Sequence, residues 1–466
     1  MFKFSYKYYL LLCFLSLFSF INIEYFHFSY AYYESSSLSN NLKFIRSLFP
    51  VVLIAQFFIF LIYVFINKQK LFYDYYLFFL FIYLILQSIG LFLSYNNPNF
   101  NIFYIFISLA TILVFFQINQ LERNDLNLFV HLSLFILFIL FILFFSQNII
   151  LFFQSHLNFY SEFPLAFRSD TNPQLINPNL GLQKIEDLDQ KIKNFTIYQT
   201  ILGEIPPRSS GISRIALILS TFLFLISTKK NKFNTIFCLL LIYLNFSIFI
   251  SQSRLNVASI LLIYFFIIYF SKKKFSSKVS NLIILLLLPF LIASYLNYSK
   301  SERIFPFKNL PRPNSDSEIS KNIDRLDNAT REKHIFTLTG REKIWSDIFQ
   351  FTKAKWYIGN GPQADRYTVG QSASNLLFYA YSSGGFFSVL IFISFYVKIF
   401  LTLKKIILTK GINYIMKDTE FSFSILILSY LLFRSLFETS FGVFGLDLIL
   451  FLILLLFFKK KSISLK

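Results

Sequence analysis

Ser253-Arg254-Leu-Asn-Val-Ala-Ser-Ile-Leu-Leu-Ile-Tyr-Phe-Phe-Ile-Ile-Tyr-Phe-Ser-Lys272-Lys-Lys274 decides how this chain is read. An apolar run over 254–271 is about the length a helix needs to cross a hydrocarbon layer of ~30 Å. An arginine stands at one end of the run and a lysine cluster at the other. Backbone amides inside lipid must be satisfied within the segment, so such a run is a helix.

The same pattern recurs along the chain. Apolar stretches at 4–23, 48–67, 74–95, 101–117, 128–150, 211–228, 232–250, 279–297, 374–401, 420–437 and 441–458 bring the expected spans to about twelve. If the N-terminus is inside, the segments on that side carry Lys3, Lys7, Lys68, Lys70, Arg123, Lys229, Lys230, Lys232, Lys272 to Lys274, Lys278, Lys404, Lys405, Lys410, Lys417 and Lys459 to Lys461. Lysine and arginine accumulate on the cytoplasmic side, so both termini are expected there. The fold class that follows is all-α: a polytopic integral membrane protein of about twelve transmembrane helices with two long periplasmic loops. Its parts are helices 1–5 over 1–155, a periplasmic loop over 156–210, helices 6–9 over 211–297, a larger periplasmic loop over 298–373, and helices 10–12 with a basic cytoplasmic tail over 374–466.

Composition points the same way. The chain is 55% hydrophobic, with 66 Phe and a mean hydropathy of +0.58, which excludes an ordinary soluble core. A formal charge of +20 would indicate nucleic acid in a soluble protein. Here much of the excess lies in short loops facing anionic headgroups, so the bilayer is the expected partner and nucleic acid is not. Cys13 and Cys238 both fall within spans and read as small packing residues. The first apolar run is read as an uncleaved helix, because Ser29-Tyr-Ala-Tyr-Tyr33 after it is a poor cleavage site.

In the first loop, Leu182, Ile185, Leu188, Ile192 and Phe195 recur at helical spacing and predict an amphipathic helix. The second is broken by Pro306, Pro311 and Pro313, then changes character at Thr339-Gly340-Arg341-Glu342, which fits a capping box and predicts a helix starting near Gly340. Ile344, Trp345, Ile348, Phe349 and Phe351 give that helix an apolar face, with Trp345 expected near headgroup depth. A Gly359-Asn360-Gly361-Pro362 turn follows.

No Walker loop, HExxH, CxxC pair, GxSxG elbow or dinucleotide fingerprint is present, so no metal or other cofactor is expected. The chemistry-bearing residues gather toward the expected outer face. Arg208, Arg214 and Arg254 stand at helix ends, Arg341 opens the loop helix, and Arg434, Glu438 and Asp447 lie near the outer ends of the last two spans. Guanidinium offers paired donors suited to phosphate oxygens, and charge near membrane depth is costly enough to be functional as a rule. The bland alternative is that each arginine snorkels to headgroups or pairs locally, as Arg434 would with Glu438 at i, i+4.

In order along the chain, Arg208-Ser-Ser-Gly211-Ile-Ser-Arg214, Ser253-Arg254, Thr339-Gly340-Arg341 with Trp345, Gly359-Asn360-Gly361, Ser374-Asn375 and Ser383-Gly384-Gly385-Phe386 resemble the O-antigen ligase and O-antigen polymerase superfamily. The resemblance runs from about residue 205 to 395. It implies glycosyl transfer without a metal at the periplasmic face of the bacterial inner membrane, a step of lipopolysaccharide or related polysaccharide biosynthesis. A glycan on undecaprenyl pyrophosphate would pass to the hydroxyl of a glycan or lipid acceptor, and a chain-length regulator or a flippase would be a partner. Arg214, Arg254 and Arg341 match the family's arginines; Arg341 is a catalytic candidate with Glu438, and Arg208, Arg214, Arg254, Asn375 and Arg434 are the substrate-binding candidates. Where many members carry His-Asn or His-Ser, this chain has Ser372-Ala373-Ser374-Asn375, which leaves Glu438, Asp365 or Asp447 as candidate base, with His334 a more distant choice. That departure leans the reading toward a polymerase over a ligase transferring glycan to lipid A core. Readings of other classes are a transporter or flippase of an anionic substrate and a sensor or scaffold without chemistry. Against the transporter stand spans expected to be largely unbroken, with Pro289 and Gly90 the few interior exceptions.

Overall fold

The computed structural model describes residues 7–15, 17, 37–66, 74–94, 98–154, 209–229, 235–251, 253–270, 283–301, 341–369 and 373–463. Among these residues the chain is helical, with no strand. After a helical segment over 7–15 come α1 (Ser37–Ile66), α2 (Tyr75–Leu93), α3 (Pro98–Ile118), α4 (Arg123–Gln154), α5 (Ser209–Lys229), α6 (Thr235–Ile250) and α7 (Arg254–Phe270). A π-turn at Ile283–Leu287 leads into α8 (Leu288–Ser301). Then follow α9 (Arg341–Thr352), α10 (Ala364–Thr368), α11 (Leu376–Lys410), α12 (Ile412–Lys417), α13 (Thr419–Ser435) and α14 (Leu446–Ile463).

Leu448 to Phe458 is apolar on every side, so it belongs inside protein or lipid and not in water. The structure encloses it: every residue of that run is buried, with α3, α4 and α13 packed against α14. The helices around it carry large apolar side chains outward, among them Phe65, Phe92, Phe265 and Tyr269. Water would penalise so much exposed apolar surface, whereas a bilayer accepts it. Five helical stretches, Leu48–Ile66, Tyr75–Leu93, Asn124–Ile142, Gly211–Thr228 and Leu376–Lys410, are long and apolar enough to cross a membrane. Ile102–Ile118, Thr235–Ile250, Arg254–Phe270 and Ile283–Leu296 are shorter apolar helices. Among the described residues, these five full-length stretches and four shorter apolar helices support an all-α membrane protein, and α13 and α14 fall on the further runs expected at 420–437 and 441–458. The loop over 156–210 lies outside the described residues except for its last two, as do 302–340 in the second loop, so the amphipathic stripe at 182–195 and the capping Thr339 carry no structural description.

Lysines tie one end of the bundle together. Lys7 pairs with Asp125, Lys459 with the buried Asp74, and Lys461 with Asp418, while Lys460 donates to the Leu121 carbonyl. Those contacts join the helical segment over 7–15 to α4, and α14 to the starts of α2 and α13 and to the turn before α4, where the sequence expects a cytoplasmic face. Asp74 also accepts from the amides of Tyr76 and Leu77, capping α2.

Two helices are interrupted, one at Gly385, where the sequence predicts an unbroken span, and one beside Pro289, which the sequence marks as an interior exception. At Gly385, with φ +70°, α11 breaks between two helical parts. At Ile283–Leu287 the backbone widens to a π-turn before Pro289. Proline has no amide hydrogen, so the carbonyl four residues earlier, Leu285, lacks its helical donor. Asn245 of α6 supplies one through Nδ2 at 2.8 Å. Its Oδ1 in turn accepts from Ser220 at 2.8 Å, and Ser220 lies 2.6 Å from the Tyr264 hydroxyl, which knots α5, α6 and α7 around the interruption.

Candidate functional site: a buried ring of arginine, carboxylate and amide

At the end of the bundle opposite the lysines, side chains from four segments close into a ring. Ser213 and Arg214 stand on the second turn of α5, and Asn256 on the first turn of α7. Tyr430 and Arg434 are one turn apart on α13, and Glu438 follows that helix. Asp447 is the second residue of α14, in the first turn, where the helix dipole favours a negative charge. The Arg214 Nη1 lies 2.6 Å from Asp447 Oδ1, and Arg434 Nε lies 3.6 Å from Asp447 Oδ2. Arg434 donates onward from Nη1 to the Tyr430 hydroxyl at 3.2 Å and from Nη2 to Glu438 Oε2 at 2.9 Å. Tyr430 donates to Asn256 Oδ1 at 2.7 Å, and Asn256 Nδ2 donates to Ser213 Oγ at 2.6 Å, one residue from Arg214. Ser440, held at φ +40° in the turn before α14, reaches Asp447 Oδ2 at 3.3 Å.

Two guanidinium groups therefore meet two carboxylates, and their formal charges cancel. Both arginines and Asp447 are buried, whereas the Glu438 side chain keeps 40% of its surface exposed. Glu438 is thus the member of the set that can leave without opening the bundle. Buried ions of this kind hold together only while each charge keeps its partner, and losing one partner is far costlier than the pair is stabilising.

The structure treats the expected site residues differently. Arg214, Arg434, Glu438 and Asp447 are brought together. Arg254 begins α7 as an exposed residue and Arg341 begins α9 half-buried; among the described residues neither forms an ion pair. Arg208 and His334 lie outside the described residues. Asn375 has a structural task at both ends of its amide: Oδ1 accepts from the amides of Leu377 and Phe378, starting α11, and Nδ2 donates to the Leu436 carbonyl at 2.8 Å. Asp365, buried, accepts from the Ala373 amide at 2.7 Å and so braces the strap before α11.

Asn256 and Tyr430 are not among the candidates the sequence offers, and Ser213 enters there only as a member of the Arg208–Arg214 stretch. Tyr430 has a signal, being one helical turn before Arg434 in an apolar run. Asn256 has a weaker one, a lone amide two residues inside an apolar run.

Comparison of the chain with protein-family models, with curated proteins and with solved structures finds no match.

Proposed function

We propose that the protein is a membrane glycosyltransferase that moves a glycan from undecaprenyl pyrophosphate to an acceptor hydroxyl, lengthening a lipid-linked polysaccharide of the O-antigen type. The observation that carries this reading is the buried Arg214–Asp447–Arg434 arrangement at the lysine-poor end of the helices, with Glu438 at its exposed side. A pyrophosphate leaving group gathers negative charge as the glycosidic bond breaks, and fixed guanidinium donors in a low-dielectric site stabilise that charge.

In this proposal Arg434 is the primary phosphate ligand and Arg214 supports it through the shared Asp447. Arriving phosphate oxygens displace Glu438 from Arg434, because both compete for the same guanidinium edge. The released carboxylate then takes the proton of the acceptor hydroxyl as that oxygen attacks the anomeric carbon and the C–O bond to pyrophosphate breaks. Arg254 and Arg341 are assigned to the outer phosphate and the acceptor glycan, on the strength of the sequence resemblance alone. Donor binding and turnover separate these roles. Arg434→Ala is expected to lose both, and Glu438→Gln to keep donor binding while slowing transfer. Equal loss of donor binding in the two variants would contradict the exchange.

A second reading, an anion transporter, gains from the broken α11, since transporters build their sites at interrupted helices. In that case purified protein would carry the lipid-linked substrate across a vesicle without forming a glycosidic bond.

A further inference from the structure

The break in α11 has a partner. Ending a helix at Gly385 leaves carbonyls of the preceding turn without their helical donors, and lipid tolerates no unpaired backbone groups. The segment after α9 takes them up: the amides of Asn360 and Gly361 donate to the Ser382 and Ser383 carbonyls at 2.8 and 3.0 Å, and the Phe386 amide donates to the Trp356 carbonyl at 2.8 Å. The fit needs glycine on all three surfaces. A Cβ on Gly90 of α2 would stand 2.7 Å from the Gly361 nitrogen, and one on Gly359 would stand 2.6 Å from the Gly384 nitrogen.

The depth of this docked turn can be read from α2. Its 19 residues measure about 28 Å, close to the hydrocarbon thickness of ~30 Å. At its N-terminal end Asp74 meets Lys459. At its other end the Leu93 carbonyl and the Ser94 hydroxyl both accept from Lys355, whose chain neighbours Trp356 and Tyr357 are 51% and 45% exposed. Trp356 sits 6.1 Å from the ring of Phe386, and Phe386 and Phe387 continue outward onto the exposed face of a helix long enough to span. On this reading Trp345, for which the sequence predicts headgroup depth, lies farther from the hydrocarbon layer. It stacks on Phe378 at 4.8 Å and donates to the Ala373 carbonyl, about 12 Å farther up α11 than Phe386.

We infer that Trp356 and Tyr357 are an interfacial anchor: they sit at the headgroup–acyl boundary of the leaflet opposite the lysine-rich end and pin α9, with Arg341 at its start, at a fixed height above the bilayer. The occupant of this aromatic surface is lipid, because the surface runs without interruption into the exposed face of α11. Trp and Tyr are the side chains that prefer this depth, and an adjacent lysine that snorkels to the boundary accompanies them.

The chain holds only two tryptophans, so each can be isolated. Full-length Trp345→Phe protein, in phosphatidylcholine vesicles brominated at stepped chain positions, reports Trp356 alone. Its emission is expected to be lost most with bromine near the headgroup end, least with bromine at the chain terminus, and little with iodide on both sides. Trp356→Phe protein, reporting Trp345, is expected to lose little emission to any brominated lipid. If Trp345→Phe does not fold, the difference between the native chain and Trp356→Phe gives the same quantity. Emission from Trp356 lost to iodide and not to brominated lipid overturns the inference, as does emission shielded from both, which would mean that a second protein copy covers the surface.

Discussion

Arg214 and Asp447 face each other across two helices at 2.6 Å, and only 3% and 5% of their side-chain surfaces remain exposed. The pair lies where the first turn of the central helix meets the second turn of α5, so it joins the wall of the bundle to its axis.

Replacing Asp447 with Ala is expected to leave two buried guanidinium groups undercompensated and to destabilise the protein by about 3–5 kcal/mol. The double variant Arg214→Met with Asp447→Leu is expected to recover part of this loss without recovering glycan transfer. Thermal unfolding in detergent, followed by tryptophan emission, checks the first statement, and product length checks the second. Full stability in Asp447→Ala would show that the buried network is not held by its charges.

Asn245→Leu removes the donor that replaces the missing amide of Pro289, and the orphaned Leu285 carbonyl should cost about 1–3 kcal/mol. Adding Pro289→Ala restores a helical amide for that carbonyl. The two changes together are therefore expected to be less destabilising than Asn245→Leu alone, a coupling that a double-mutant cycle of unfolding midpoints measures.

Gly385→Ala is expected to destabilise by about 1–3 kcal/mol, because the residue is held at φ +70° and a methyl group there would meet the Tyr357 backbone. The same variant should raise protease sensitivity in the 353–361 segment, since that turn is docked on the break. An unaltered cleavage pattern would argue against the docking.

Much of the architecture was legible in the sequence, because apolar run length and lysine placement are one-dimensional signals. The run at 74–95 became α2 over Tyr75–Leu93, and that at 254–271 became α7 over Arg254–Phe270. What stayed hidden depends on three-dimensional meeting. Gly385 and the Gly359-Asn360-Gly361 turn are each only a flexibility signal until they are seen to satisfy one another's amides and carbonyls. Arg214 and Arg434 are 220 residues apart, and nothing in either local sequence states that they share Asp447. Asn375 shows the opposite limit: a polar residue in a motif-like stretch whose amide is committed to a helix start.

Lys460, beyond the apolar run that ends at Phe458, has its pKa pushed down to about 8 by burial and then by the neighbouring Lys459 charge. A depressed lysine disfavours the folded state while it is protonated in both states, that is, below about pH 8. As pH rises toward the ordinary lysine value of about 10.4, the folded protein binds fewer protons than the unfolded chain and gains stability. The unfolding midpoint of the native chain, relative to Lys460→Met, is therefore expected to rise between about pH 8 and about pH 10, the window the two pKa values define. A flat difference across that window would remove Lys460 from the account.

The most direct measurement is reconstitution of the purified protein in vesicles with undecaprenyl-pyrophosphate-linked repeat units, without nucleotide and with chelator present. The account predicts longer lipid-linked chains with release of undecaprenyl pyrophosphate. Arg434→Ala should reduce the rate by about 30- to 1000-fold, as expected for losing one preorganised donor worth about 2–4 kcal/mol. Substrate movement across the vesicle with no new glycosidic bond, or full chain length in the folded Arg434→Ala protein, would contradict it.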